Sequence, residues 1–184
     1  MNLPKIKCEI RAILTDQNGK IIKRYPWKRA NSLLKQFLQL LAAQMTNTSQ
    51  VIKDTGGTDR SAASNSSNLR CGDAGTSTTY GIVIGTGVTA VTMTDHTLET
   101  QVKTNIAHQA MLSAVENPNT STWRIAISRG FANNTGAKLS VKEVGLYMKF
   151  TDTPWFVCGD RTLYAVDVSS GVTLTLTYRI TVSL

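Results

Sequence analysis

The chain has 184 residues, of which only 17% are charged, and it carries a net charge of +8. That length supports one domain with a sizeable core, and three widely spaced cysteines, Cys8, Cys71 and Cys158, argue against a disulfide framework and for free thiols. No run approaches the ~18 apolar residues of a membrane span, and residues 1–7 lack the apolar core of a secretion signal, so the expected history is synthesis in a cytoplasm, with no membrane.

The first element is a strand over residues 5–14. Ile6, Cys8, Ile10, Ala12 and Leu14 share one face, while Lys5, Lys7, Glu9 and Arg11 share the other. Asp16-Gln17-Asn18-Gly19 supplies turn chemistry, residues 20–25 return as a hairpin, and Pro26 ends it. A helix is predicted over residues 32–45, capped by Asn31 or Ser32. Its stripe is Leu34, Leu38, Leu41 and Met45, widened by Leu33, Phe37 and Leu40. So broad an apolar surface needs cover from the body or from a neighbouring subunit.

Residues 46–79 break the pattern: 23 of these 34 are Ser, Thr, Asn, Gly or Asp. The segment reads as a polar insertion, either flexible or ordered by a partner. From Tyr80 onward, strands alternate with turns. Candidates are residues 80–84, 108–115, 123–131, 138–149 with a bulge near Gly145, 155–158, 162–168 and 172–184. Glu116-Asn117-Pro118-Asn119 and Asn133-Asn134-Thr135-Gly136 are the turns between them. The last strand is the clearest, with Val172, Leu174, Leu176, Tyr178, Ile180, Val182 and Leu184 on one face. The fold class is therefore mainly β: an antiparallel β-sandwich or jelly-roll-like body (80–184) with an N-terminal β-hairpin and one amphipathic helix (1–45) as an attachment element.

Charge is uneven. Residues 1–36 carry nine basic against two acidic groups, leaving +1 for the rest of the chain. A basic end on a neutral body fits an acidic partner. Nucleic acid is not the expected one, because no stacking pattern or nucleic-acid motif accompanies the charge.

Catalytic signals are weak. Gly85-Thr86-Gly87 with Ala90 gives G-x-G-x-x-A, but the following residues are poor helix material, so a turn between strands is the better reading. Asp95 and Glu99 could hold a hard cation only with further ligands, and His96 and His108 have no metal-site spacing. There is no G-x-S-x-G and no Cys–His context. Four Asn-x-Ser/Thr matches are products of a polar surface. Trp123, in phase with an apolar strand face, reads as core. Tyr25-Pro26-Trp27, flanked by Arg24, Lys28 and Arg29, reads as a contact segment.

Several runs together resemble the β-rich structural proteins of tailed-phage particles. Gly85-Thr86-Gly87 followed by residues 94–99 is similar to a "G-T-G … D-x-x-L" run. Residues 127–136 are similar to "R-x-F-x-N-x-[ST]-G", residues 141–147 to "V-x-E-x-G-L-Y", and residues 174–180 to a terminal alternating strand. The resemblance implies a virion component made in the host cytoplasm, placed at neck, tail or capsid, with no enzymatic activity and no cofactor. Its implied partners are other virion structural proteins and copies of itself. The candidate contacts are Tyr25, Trp27, Lys28, Arg29, Leu33, Phe37 and Leu41, which would dock the hairpin and helix on a neighbour. The alternative is a fibre or decoration protein with a host-glycan surface, which predicts a polar groove with exposed Trp155 or Tyr residues. A cell-wall hydrolase is a third, weaker reading. Glu143 is expected to face solvent or cap a bulge.

Overall fold

A computed structural model describes residues 5–30, 33–72, 77–151 and 155–183. In chain order the elements are β1 (Lys5–Thr15), β2 (Ile21–Arg24), β3 (Lys28–Arg29), α1 (Lys35–Thr46), β4 (Gln50–Lys53), β5 (Asp59–Ala62), β6 (Gly81–Gly85), β7 (Ala107–Asn119), β8 (Thr122–Asn133), β9 (Leu139–Phe150), β10 (Trp155–Val168) and β11 (Val172–Ser183). The protein is mainly β, with antiparallel sheets in a sandwich-like arrangement. The large sheet has the order β2-β1-β11-β8-β7, with β3 also on β1, and the smaller one has the order β10-β9-β6.

The period-two pattern accounts for the large sheet. β1 pairs with β11 along its whole length, matching Ile6 with Val182, Ile10 with Tyr178 and Leu14 with Leu174. A residue and its direct cross-strand partner share a face, so the apolar set of each strand stacks on the other. The hairpin expected as an attachment thus forms one side of the sheet, with β2 at its edge and β1 beside β11. Its turn follows from Asp16, whose Oδ1 accepts the Asn18 and Lys20 N–H groups at 2.9 Å, and from Gly19 at φ +79°.

The inner faces meet in one core. Ile10, Ala12, Leu174, Leu176, Tyr178, Ile127 and Phe131 of the large sheet pack with Ile82, Ile84, Val144, Leu146, Met148 and Val166 of the smaller. The smaller sheet is buried on its other face too, where Val83, Tyr147 and Cys158 pack with Leu34 and Leu98. That second cover explains why all five residues of β6 are buried.

Several expectations shift. The two short strands after residue 155 are one strand, β10, with two irregularities. The bulge expected near Gly145 lies on the opposing strand, where Gly159 is inserted between Cys158 and Asp160. A Cβ at Gly159 would come within 2.8 Å of the Met148 methyl, so glycine permits the close approach. The turn expected at residues 116–119 is a register shift inside the β7–β8 hairpin. The helix starts at Lys35, and the expected caps Asn31 and Ser32 lie outside the described residues. Gln36, Leu40 and Ala43 face inward, whereas Leu38 and Met45 of the expected stripe are exposed. The polar segment 46–79 contributes the hairpin β4–β5, whose Ile52 and Ala62 are fully buried in the main core. Order there comes from the chain's own body: Gln39 of α1 donates to the Val51 carbonyl at 2.8 Å, and Gln44 Oε1 accepts from Asn65 N–H and Asn68 Nδ2.

Candidate protein interaction site

The acidic residues that could have made a chemical site are used to hold the fold. Glu143, expected at the surface, is 0% exposed. The alternation of β9 places it on the face covered by the segment after β6. Its carboxylate accepts N–H bonds from Gly87 (3.1 Å), Glu99 (3.1 Å) and Thr100 (2.8 Å), and Arg161 Nε donates at 2.8 Å. The same guanidinium reaches Asp95 at 2.6 Å and Glu99 at 3.6 Å. Glu99 in turn accepts the Val88 and Thr89 N–H groups at 2.7 and 2.9 Å. Burial pushes the Asp95 carboxyl up, but the Thr92 and Arg161 hydrogen bonds outweigh it and hold it below the usual carboxylate range. A Cβ on Gly85 or Gly87 would collide with the Glu143 carboxylate, which is why the G-T-G run carries glycines. Asp95 and Glu99, weighed as cation ligands, are thereby committed to Arg161 and to backbone donors.

The other runs of the resemblance do comparable work. Tyr147 Oη lies 2.7 Å from Leu98 N and 2.8 Å from Thr97 Oγ1. Arg129, 1% exposed on the inner face of β8, donates to the Gln109, Tyr80 and Ile82 carbonyls at 2.9, 3.1 and 3.0 Å and also to Ser77. It so closes the open edge of β6. Asn133 Nδ2 donates to the Ala137 and Val168 carbonyls at 2.9 and 2.8 Å, and Tyr178 donates to buried Asp160 at 2.7 Å. The motifs are framework residues.

The feature left over is an uncovered end of the large sheet. Cross-strand partners on the inner face form rows: Ser113, Ile127, Tyr178 and Ile10; then Val115, Ile125, Ile180 and Cys8; then Trp123, Val182 and Ile6. In the first row Ile127, Tyr178 and Ile10 are buried. In the next two, Val115 is 71%, Trp123 55%, Ile125 49%, Val182 43% and Ile6 74% exposed. The smaller sheet stops short of these rows. A crevice of about 260 Å³ lies among Val115, Trp123, Arg124, Ile125, Ile180 and Val182. Together the five side chains expose on the order of 500 Å², as large as the biggest apolar patch on an ordinary monomer. Trp123, expected in the core, is therefore surface: its phase is right, but nothing among the described residues stands opposite it.

The sequence-derived contacts fall in several environments. Tyr25 and Lys28 line a cavity of about 230 Å³ with Pro26, Tyr164 and Ala165, and Lys28 donates to the Leu163 carbonyl at 3.1 Å. Trp27 has the Arg179 and Arg11 guanidinium carbons 3.8 and 4.4 Å from its ring centre. Arg29 is exposed opposite Glu9. Leu33 bridges to Asp160, Phe37 packs on the main core and Leu41 is half-buried. Trp155 is half-buried beside Phe150, with the Arg60 guanidinium 4.5 Å from its ring centre.

Val115, Ile125, Val182 and Ile6 were not distinguishable by residue type. No signal in the sequence separates them from core residues: β9 and β10 are as long as β8 and β11, so which rows are covered depends on how the two sheets are set against each other. Comparison with family models, with curated proteins and with solved structures finds no match to the chain.

Proposed function

We propose that the protein is a non-enzymatic structural component of a tailed-phage particle, placed at the neck, tail or capsid and assembling by protein–protein contacts with copies of itself and with other virion proteins. The observation that carries this reading is the overhanging apolar end of the large sheet. Water-exposed rows of Val, Ile and Trp that continue a core face are a surface built to be covered. A second copy is the occupant that fits. Two such ends meeting about a two-fold axis bury each other's rows, and two patches of this size give about 1,000 Å², near the lower limit of a specific interface. The central Trp123 is the kind of side chain on which interfaces depend.

The test is the double substitution Trp123→Asp with Ile125→Asp, followed by sedimentation velocity and by particle assembly in cells. The expected outcome is an associating wild type, a monomeric variant with an unchanged melting temperature, and failure of the variant to enter particles. A wild type that stays monomeric at high concentration, or a variant that is incorporated normally, overturns the reading. The fibre or decoration alternative draws on the small Tyr25–Tyr164 cavity, and binding of the purified protein to host glycans would favour it.

A further inference from the structure

The opposite, outer face of the large sheet carries a different character, and its charge is not confined to the N-terminal segment. Register places Arg29, Glu9 and Arg179 in one row, Lys7, Thr181, Arg124 and Glu116 in the next, and Arg11, Thr177 and Ser128 in the row on the other side. Adjacent rows on one face lie about 7 Å apart. Five cations thus share a small area with two acids. Glu9 is spent within the group: it pairs with Lys7 and Arg179 at 2.8 Å and is buried beneath them. Arg11, Arg29 and Arg124 make no ion pair among the described residues. The Nε atoms of Arg11, Arg124 and Arg179, and Thr181 Oγ1, are buried without a hydrogen-bond partner among the described residues. Trp27 packs on two of these guanidiniums and holds them in place.

We infer that this face is a second docking surface, fitted to the acidic surface of a different protein chain. Arg11, held against Trp27 and left without a carboxylate, is pre-organised for one supplied from outside, and Arg29 and Arg124 stand beside it with their charge unpaired among the described residues. A second copy does not fit here, because it would bring the same excess of positive charge to a like face. A DNA duplex, whose phosphates are rigidly and evenly spaced, fits less well than carboxylates on flexible side chains, because Glu9 and Glu116 interrupt the same rows. A folded partner can set its own carboxylates opposite Arg11, Arg29 and Arg124 and leave those two positions neutral or basic. The inference does not rest on the self-association above, which uses the other face.

The experiment measures binding of the full chain to fluorescein-labelled poly-L-glutamate and, separately, to a labelled 30-base-pair DNA duplex, by anisotropy at matched ionic strength. The triple variant Arg11→Gln, Arg29→Gln, Arg124→Gln is expected to weaken poly-L-glutamate binding at least tenfold. A control triple of equal charge change elsewhere, Lys20→Gln, Lys103→Gln, Lys142→Gln, is expected to change it less than twofold. The single variant Arg124→Gln, whose side chain holds nothing else in place, is expected to weaken binding about threefold with an unchanged melting temperature. Equal losses in the two triples, or no binding of the wild type to poly-L-glutamate in low salt, overturn the inference. Tighter binding to the duplex than to poly-L-glutamate, lost in the face triple, also overturns it and makes nucleic acid the partner.

Discussion

The two ends of the large sheet are built from the same strands with the same alternation, yet one end is core and the other is surface. Ile127, Tyr178 and Ile10 are buried, and one row further along Ile125 and Val115 stand in water. Periodicity decides which face a side chain occupies, and what stands opposite decides whether that face is dry. The covered end also receives the buried polar groups, because Arg129, Glu143 and Asp160 each find several partners there. The open end has apolar rows and little to satisfy.

Mutations at the two ends therefore differ most in size. Phe131→Ala, at the covered end, is expected to cost about 3–5 kcal/mol of stability in urea titrations, the range for removing a buried aromatic side chain. Glu143→Gln leaves a buried guanidinium facing a neutral amide and is expected to cost about 3 kcal/mol by the same measurement. Tyr178→Phe removes a donor from buried Asp160 and is expected to cost about 1–3 kcal/mol. Acid should reach the ion-paired groups next. Glu9 and Asp95 sit below the ordinary carboxylate range in the folded state: burial pushes both up, and their hydrogen bonds and ion pairs prevail. Their contribution is complete above the unfolded value of about 4 and is lost as pH falls through the lower folded values. Melting temperatures should therefore drop on acidification below about pH 4, and the drop should be shallower in Asp95→Asn. The smallest effect is expected at the open end, where Trp123→Ala should change monomer stability by no more than about 0.5 kcal/mol. A cost at Trp123 as large as that at Phe131 would mean that both ends are covered within one chain, and the contrast would fail.

The sequence made the long strands legible because their alternation is nearly unbroken, as in Val172 to Val182. It did not make β4–β5 legible, since only Ile52 and Ala62 of that hairpin are buried, too few to set an alternating pattern. Glu143 was misplaced for a related reason. Its parity with Tyr147 was readable, but the segment that lies over it, residues 86–102, has no regular structure to announce itself. The helix was found, and its inward face was misjudged, because Gln36 is buried where a polar residue marks an outer face. The open sheet end was hidden in the same way. A surface Ile and a core Ile look identical until the placement of the opposing sheet is known. The outer-face cations were half visible: the excess before residue 37 was plain, but register was needed to bring Arg124 and Arg179 beside it.

The pairing of β1 with β11 has a consequence for how the molecule is made. Glu9 and Arg179 are 170 residues apart in sequence, yet they are bonded across adjacent strands. Closing so long a loop is slow, and folding rates fall as such distant pairings dominate. During synthesis, at roughly 5–20 residues per second, β1 stays without its neighbour for about 10–30 s after it is complete. Throughout that interval its apolar edge is open to other nascent chains, so yield should depend on temperature, expression rate and chaperone supply more than the stability of the finished sheet suggests.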